Sequence, residues 1–424
     1  MRPPSIVVIG GGVSGLVSAL HLSSRGAQVA VLERAEQLGG RLRSTLEGEW
    51  KKDPGLHLIH GDGPWSRTIR KSSNSRLSVV SAPDLNVLKN NHWSQPPFTI
   101  SRKRHGEVSR FAAYKWIKKI ASKPEPGRKW SETVSSLDGD EKAWTSVLGT
   151  LTTMEWNTSC LHHTVRRAIK NGILRQRLTI PVHGWSEYIG RLIHACEELG
   201  TIFSTDCHVT AIEIHSNGVT IDVSNQDQIT ADAVVFACPP AQTHRLISPL
   251  KPPVSPPPIC RIRVAHGGLL LDSESMLRPF IADMDKRVIT LNLADVSQER
   301  LPENLRGRGS SLESLVFEIE DESDEEIEKR WHTHLESCAP GLQRHIIDTR
   351  PLRRRTVDYH WKPGSDTNRD TLVKWMSQNR MVSVAHESSD YYVLLDGIVV
   401  RARNAADRLF KGRQGRRGRR RRAP

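Results

Sequence analysis

Long hydrophobic runs, paired cysteines and internal repeats are all missing from this sequence, and each gap removes a class of protein. No run of about 18 or more apolar residues occurs, which excludes an ordinary transmembrane helix. The six cysteines, at 160, 196, 207, 238, 260 and 338, form no CxxC and no metal-ligand spacing. That argues against a disulfide framework or a zinc site and places the chain in a reducing, cytoplasmic setting. No fixed-period repeat marks a solenoid. No Ser–His–Asp triad or pair of carboxylates can be assigned, so catalytic residues stay unnamed. Arg2 and the apolar stretch over residues 6–22 superficially resemble a signal peptide, but the glycines inside that stretch argue otherwise.

What is present is material for two or three domains: 424 residues, 37% of them apolar. Lys and Arg (61) exceed Asp and Glu (47) by 14, yet eight of those positive charges lie in residues 411–424, leaving a body near +6. The basic balance thus describes an appended tail and does not by itself make the folded body a nucleic-acid binder.

The first fifty residues carry the strongest signal. Ser5–Ile9 reads as a buried strand between Pro3-Pro4 and Gly10-Gly11-Gly12. Val13, Leu16, Val17 and Leu20 then recur at helical spacing, Gly26 closes the helix, and residues 28–32 form a second strand. Within this βαβ unit Gly10, Gly12 and Gly15 make GxGxxG. Gly10 permits the tight turn, Gly12 removes the side chain that would hold a pyrophosphate off the backbone, and Gly15 lets helix and strand pack closely. The helix start, with Val13 and Ser14, turns free N–H groups and its dipole toward an anion. Glu33, ending the second strand, is placed to accept from a ribose 2′-hydroxyl, which favours FAD or NAD over NADP.

The segment Glu33-Arg34-Ala35-Glu36-Gln37-Leu38-Gly39-Gly40-Arg41 resembles the pattern after the second strand in the flavin-containing amine oxidase superfamily. That superfamily joins monoamine and polyamine oxidases with protoporphyrinogen oxidase, phytoene-desaturase-like enzymes and, more distantly, UDP-galactopyranose mutases. The resemblance implies FAD, with Arg34 and Gly40 in the cofactor segment and Arg41 offering a charge-assisted fork to phosphate. Asp53-Pro54-Gly55-Leu56-His57 resembles the segment passing close to the isoalloxazine ring, with Gly55 the close-approach residue and His57 and His60 candidates to line ring or substrate. Residues 181–240 resemble the second cofactor segment, in which the Val209 backbone would hold the adenine; Trp185 stands where a glycine is usual. Residues 381–410 resemble the last segment. There Glu387 would bond the ribityl and phosphate region, and Gly397-Ile398 would open a helix whose N-terminus faces the flavin pyrimidine. His386, Ile398 and Arg401-Ala402 depart from the usual residues of that segment, and the covalent-flavin cysteine of monoamine oxidases is absent, so non-covalent FAD is expected.

The implied fold is α/β: a Rossmann-like FAD/NAD(P)-binding domain with an inserted α+β substrate domain. Residues 1–71, 181–245 and 351–410 build the first, a helical insertion at 72–180 and a second part at 246–350 build the other, and 411–424 is a disordered basic tail. Trp93, Trp116, Trp130, Trp144 and Trp156 fall in the insertion, as core packing or as the lining of a hydrophobic tunnel. Its basic residues form a solvated face or a contact for an anionic membrane surface. Ser323 and Glu326 read as a capping box, and the acids around them as a helix start with no metal.

Three functions fit. The first is an FAD-dependent oxidoreductase passing hydride from a small organic substrate, whether isoprenoid-like, porphyrinogen-like or an amine, to flavin N5. The second is a redox-neutral flavoprotein mutase or isomerase. The third is a polyanion-binding protein with a vestigial flavin fold, acting through the arginines of residues 413–422.

Overall fold

The computed structural model describes residues 2–47, 50–53, 55, 58–73, 77–96, 110–122, 127–153, 155–156, 160–162, 165–166, 169, 178–224, 228–274, 277–361, 365–387 and 394–420. Ser5–Ile9 and Gln28–Leu32 lie in a five-stranded parallel sheet ordered Ile202–Ser204, Gln28–Leu32, Ser5–Ile9, Ala233–Phe236, Met381–Ser383. Both faces of this sheet are covered, which is why its strands are near-continuous runs of Val, Ile and Ala. Helices Val13–Ser23, Trp185–Glu198 and Leu394–Arg420 pack on one face. The other face meets the antiparallel strands Val209–Ile214, Val219–Val223 and Ile229–Ala231 with helices Pro240–Ile247 and Asp366–Gln378. Fully buried side chains such as Leu16 and Phe236 each contribute about 1.5–3 kcal/mol of burial free energy.

The second domain is built on a seven-stranded mixed sheet ordered Ile346–Trp361, Ile259–Leu271, Ser310–Phe317, Val288–Asn292, Phe280–Asp283, Asn86–Lys89, His92–Ser94. One face holds the helices of the insertion, with Trp116, Trp130, Trp144 and Trp156 in a shared apolar core; the other is covered by helix Asp324–Cys338. Four of the five tryptophans expected in the insertion are therefore packing residues, with Trp93 half-buried against the opposite core.

Three expectations change. The insertion is not wholly helical, because Asn86–Lys89 and His92–Ser94 form a hairpin on the edge of the sheet. Its turn is Asn90-Asn91, both at positive φ (48° and 58°), the conformation a two-residue hairpin requires and asparagine tolerates. Strand Ile346–Trp361 runs through the expected boundary at residue 350, because it pairs along nearly the whole of Ile259–Leu271. The last helix does not stop at Phe410 but runs to Arg420, since Lys, Arg and Gln are good helix formers. The capping box holds: Glu326 N–H donates to Ser323 Oγ at 3.2 Å, and Ser323 N–H to the Glu326 carboxylate at 2.8 Å. Among the described residues no helix is long and apolar enough to cross a membrane.

Candidate flavin site and the sheet above it

At the carboxyl end of Ser5–Ile9 the chain turns through Gly10 at φ 107°, beside Ala237 at the end of the neighbouring strand. This is the point where the strand order reverses, the usual ligand crevice of such sheets. A Cβ on Gly10 would sit 3.0 Å from the Ala237 carbonyl oxygen, and one on Gly15 would run into the Gly10 carbonyl. Gly12 faces Gly40 closely: a Cβ on Gly40 would lie 3.0 Å from the Gly12 Cα. Gly39 N–H donates to the Gly11 carbonyl at 2.9 Å and Gly39 takes φ 108°, so two glycine turns meet back to back. Helix Val13–Ser23 starts here with no side-chain cap and no acid in its first turn. Val13 is buried and Ser14 half-buried. This helix end matches the chemistry of a diphosphate, whose oxygens would take the place of the missing cap.

Glu33 closes the crevice. Its carboxylate accepts from Gly11 N–H at 2.7 Å and Ala35 N–H at 3.0 Å, while Arg34 is exposed. The Glu33 carbonyl accepts from Cys207 N–H at 2.9 Å, which brings the start of strand Val209–Ile214 beside it. Val209 is buried, and Arg245 donates to its carbonyl at 3.5 Å. Gly10, Gly12, Val13, Ser14, Gly15, Glu33, Gly40 and Val209 thus surround one end of the parallel sheet. Arg41 turns elsewhere: its guanidinium donates to the Val357 carbonyl on the substrate sheet and lies 5.7 Å from the Tyr359 ring centre.

The Asp53 segment is anchored by a buried ion pair. Asp53 accepts from Arg300 at 3.3 Å, from Trp185 N–H at 3.3 Å, and from Ser44. Arg300 also donates to the Val182 carbonyl at 3.2 Å and to the Pro181 carbonyl, and burial lowers its pKa. Gly184, at φ 76°, packs against Asp53 so tightly that a Cβ would overlap the carboxylate. Trp185, at the position where a glycine is usual, is buried and opens helix Trp185–Glu198 with its N–H on Asp53. Gly55 takes φ 89° with open space where a Cβ would be. His57 lies outside the described residues. His60 is buried, its Nδ1 2.7 Å from the Asp396 carboxylate, which also accepts from Trp65 N–H at 2.7 Å. The last helix is thereby tied at Asp396, directly before buried Gly397 and half-buried Ile398, to the segment following Gly55.

Glu387 follows strand Met381–Ser383. Its carboxyl is paired with Arg408, and burial raises its pKa. His386, one residue earlier, is buried with Nε2 3.0 Å from His244 Nε2 and Nδ1 2.7 Å from Ser383 Oγ. Burial lowers His244 to about 4 and His386 to about 3, so both are neutral.

Sequence reasoning missed a cluster on the substrate sheet. His266 on Ile259–Leu271, Glu313 on Ser310–Phe317 and Arg350 on Ile346–Trp361 are 2%, 1% and 9% exposed at the side chain. Arg350 pairs with Glu313 and donates to His266 Nε2 at 3.1 Å and to the Asp53 carbonyl at 3.4 Å; Gly55 N–H reaches His266 Nε2 at 3.3 Å. Three ionisable residues scattered over 85 positions leave no local motif, and only the strand register brings them together.

Residues 13–407 match the family described as flavin containing amine oxidoreductase. Polyamine oxidase 4 of Oryza sativa subsp. japonica is 41% identical over 59 residues, a stretch covering 14% of this chain and only 12% of that relative. An oxidoreductase from Methanosarcina mazei superposes with a TM-score of 0.72 at 17% identity, over 95% of this chain and all of the other. Cyclohexylamine oxidase from Brevibacterium oxydans IH-35A gives 0.70 at 14% identity, over 97% of this chain and all of the other. At those identities the structures speak for the fold; it is the match along nearly the whole chain that implies FAD as the cofactor and shows that this protein belongs to the flavin-containing amine oxidoreductase family.

Proposed function

We propose that this chain is an FAD-dependent oxidoreductase that removes a hydride from a C–H bond of a small organic substrate. The observation that carries the reading is the uncapped helix start at Val13, set between Gly10 and the Gly39-Gly40 turn. Gly10, Gly12, Val13, Ser14, Gly15 and Gly40 would hold the diphosphate, Glu33 a ribose, and the Val209 backbone the adenine. Gly55 and the helix after Asp396 would border the ring. Bound there, FAD supplies the two-electron acceptor at N5. The protein's part is to orient the substrate, exclude water, and set the dipole of the Leu394–Arg420 helix toward the reduced ring. Arg41 and Glu387, which hold protein partners, would need to exchange them to reach a phosphate or ribityl chain.

The five cysteines whose side chains are described are free, in keeping with the cytoplasmic setting we propose. The names polyamine oxidase and cyclohexylamine oxidase point to amines, and the insertion's tryptophans, being packed into its own core, add no preference to that. The test is the visible spectrum of the purified protein. A flavin band bleached anaerobically by an amine or hydrophobic substrate is expected; a colourless protein that free FAD does not reconstitute would overturn the reading.

A further inference from the structure

Helix Asp324–Cys338 covers one face of the substrate sheet, and its buried residues Ile327, Trp331 and Leu335 pack with Ile281, Val288 and Val316. The same buried side of the helix carries His334 and, four residues on, half-buried Cys338. Asp283, the last residue of strand Phe280–Asp283, meets them from the sheet. One ligand atom from each of these three residues lies within 4.8 Å of the other two. His334 Nδ1 is 3.0 Å from Asp283 Oδ2 and 3.7 Å from Cys338 Sγ.

Carboxylate, imidazole and thiol at this spacing make a metal-ligand set. Zinc bonds such ligands at about 2.0–2.3 Å, so tetrahedral coordination sets nitrogen about 3.4 Å from oxygen and about 3.6 Å from sulfur. Both observed separations lie within a few tenths of an ångström of these. The room an ion needs is therefore the space between the three donors, where it replaces the hydrogen shared by Nδ1 and Oδ2, and no larger cavity is required.

Each buried donor is held from behind. Asp283 Oδ1 accepts from the N–H groups of Asp285 at 3.0 Å and Lys286 at 2.9 Å, which leaves Oδ2 as a single-point ligand. His334 Nε2 lies 2.9 Å from Thr290 Oγ1, itself 2.8 Å from Ser314 Oγ. A hydroxyl either donates or accepts. The ring can thus carry its hydrogen on Nδ1 toward Asp283, or on Nε2 toward Thr290 with Nδ1 free for a metal. That outer hydrogen bond is the usual support of a metal-bound histidine.

Charge and softness select the ion. A divalent cation with one thiolate, one carboxylate and a neutral imidazole has no net charge, which suits side chains only 2% (Asp283) and 0% (His334) exposed. Thiolate with imidazole favours zinc over magnesium or calcium. Burial and the Asp283 charge push the Cys338 thiol up to about 12, so without metal it keeps its proton. On binding, the S–H bond breaks as the zinc–sulfur bond forms, and that proton passes to solvent. A water from the Cys338 side fills the fourth position.

We propose that Asp283, His334 and Cys338 bind one zinc ion, which clips helix Asp324–Cys338 to the turn after strand Phe280–Asp283. Cysteine spacing gives no sign of such a site: only His334 and Cys338 are local, and Asp283 comes from 51 positions away. The inference does not depend on the flavin reading, since the tryptophan-rich insertion lies on the other face of the sheet.

The test takes the full chain, stripped of metal by a chelator, and titrates it with Zn²⁺ by calorimetry and with Co²⁺ by absorption. One Zn²⁺ per chain is expected, with Kd of about 1 μM or tighter and a rise in Tm. Co²⁺ should give the visible bands of a tetrahedral site, at longer wavelength than flavin absorbs, together with a sulfur-to-cobalt band. Cys338→Ser, a conservative change at a half-buried position, should weaken Zn²⁺ binding at least about a hundredfold and remove the sulfur band. Asp283→Asn should weaken binding at least about tenfold and keep that band. His345→Ala, an exposed histidine 3.0 Å from Asp272, should change neither. Zn²⁺ binding weaker than about 1 μM, a Co²⁺ spectrum without the sulfur band, or wild-type affinity in Cys338→Ser would each overturn the inference.

Discussion

Asp53 is 1% exposed and Arg300 3% at their side chains, and they belong to different domains of the fold. Each is expensive to bury alone; together, with the Trp185 N–H and the carbonyls of residues 181 and 182, they satisfy one another. Removing only one partner leaves an uncompensated buried charge, so Arg300→Leu should destabilise the protein by about 3–5 kcal/mol. Asp53→Asn combined with Arg300→Leu should recover a large part of that loss, which urea unfolding of the two variants would measure. If the single and double variants unfold at the same denaturant concentration, the pair is not what holds Asp53 in place. The same residues show what one sequence can disclose. Asp53 and Gly55 stand out by resemblance, but Arg300 sits alone in a polar loop sequence and acquires its role only when the chain brings it across 247 positions to Asp53.

Between elements, the contact of His244 on Pro240–Ile247 with His386 after Met381–Ser383 makes stability depend on pH. In the folded chain burial lowers these residues to about 4 and about 3 from an ordinary 6.5, His386 being lowered further by the charges of His244 and Arg369. As pH falls through about 6.5 the unfolded chain takes up protons that the folded chain refuses. Stability contributed by the neutral pair is therefore full above 6.5 and declines toward 4 and 3, by at most tenfold per pH unit per histidine in the folding constant. His386→Asn keeps a hydrogen-bonding group and removes one titration, so its urea midpoint should fall less steeply between pH 6.5 and pH 4 than that of the wild-type protein. Parallel profiles would show that the pair does not set the slope.

Elements whose pattern is local were legible: the Ser5–Ile9 strand, the glycine turn, the Val13–Ser23 helix and the Ser323 capping box each depend on residues within a turn of one another. The substrate sheet was not. Strand Ile346–Trp361 carries arginine at 350, 353, 354 and 355, so it has no apolar alternation, and its place is fixed by pairing with Ile259–Leu271 rather than by its own composition. The Asn90-Asn91 turn did carry a signal, two asparagines between Leu88 and Trp93, of the kind that nucleates a hairpin.

At the scale of the whole molecule, charge and fold separate. Among the final-helix residues whose side chains are described, the last buried positions are Ala405, Ala406 and Leu409, and the Arg25 guanidinium stacks 4.0 Å over the Phe410 ring. Beyond Phe410 come eight of the 14 excess positive charges and glycines at 412, 415 and 418, each glycine costing a helix about 1 kcal/mol relative to alanine. We propose that this charge meets polyanions and takes no part in the redox site. Deleting residues 411–424 should leave Tm and the flavin spectrum unchanged while removing binding to a short DNA duplex. If all eight charges meet phosphates, log K for the intact chain should fall against log salt with a slope of about −7. For the truncated chain, near +6 overall and without that cluster, the slope should be much shallower. Loss of redox turnover on truncation, with flavin still bound, would instead make the arginine segment part of the working site and contradict its separation from the fold.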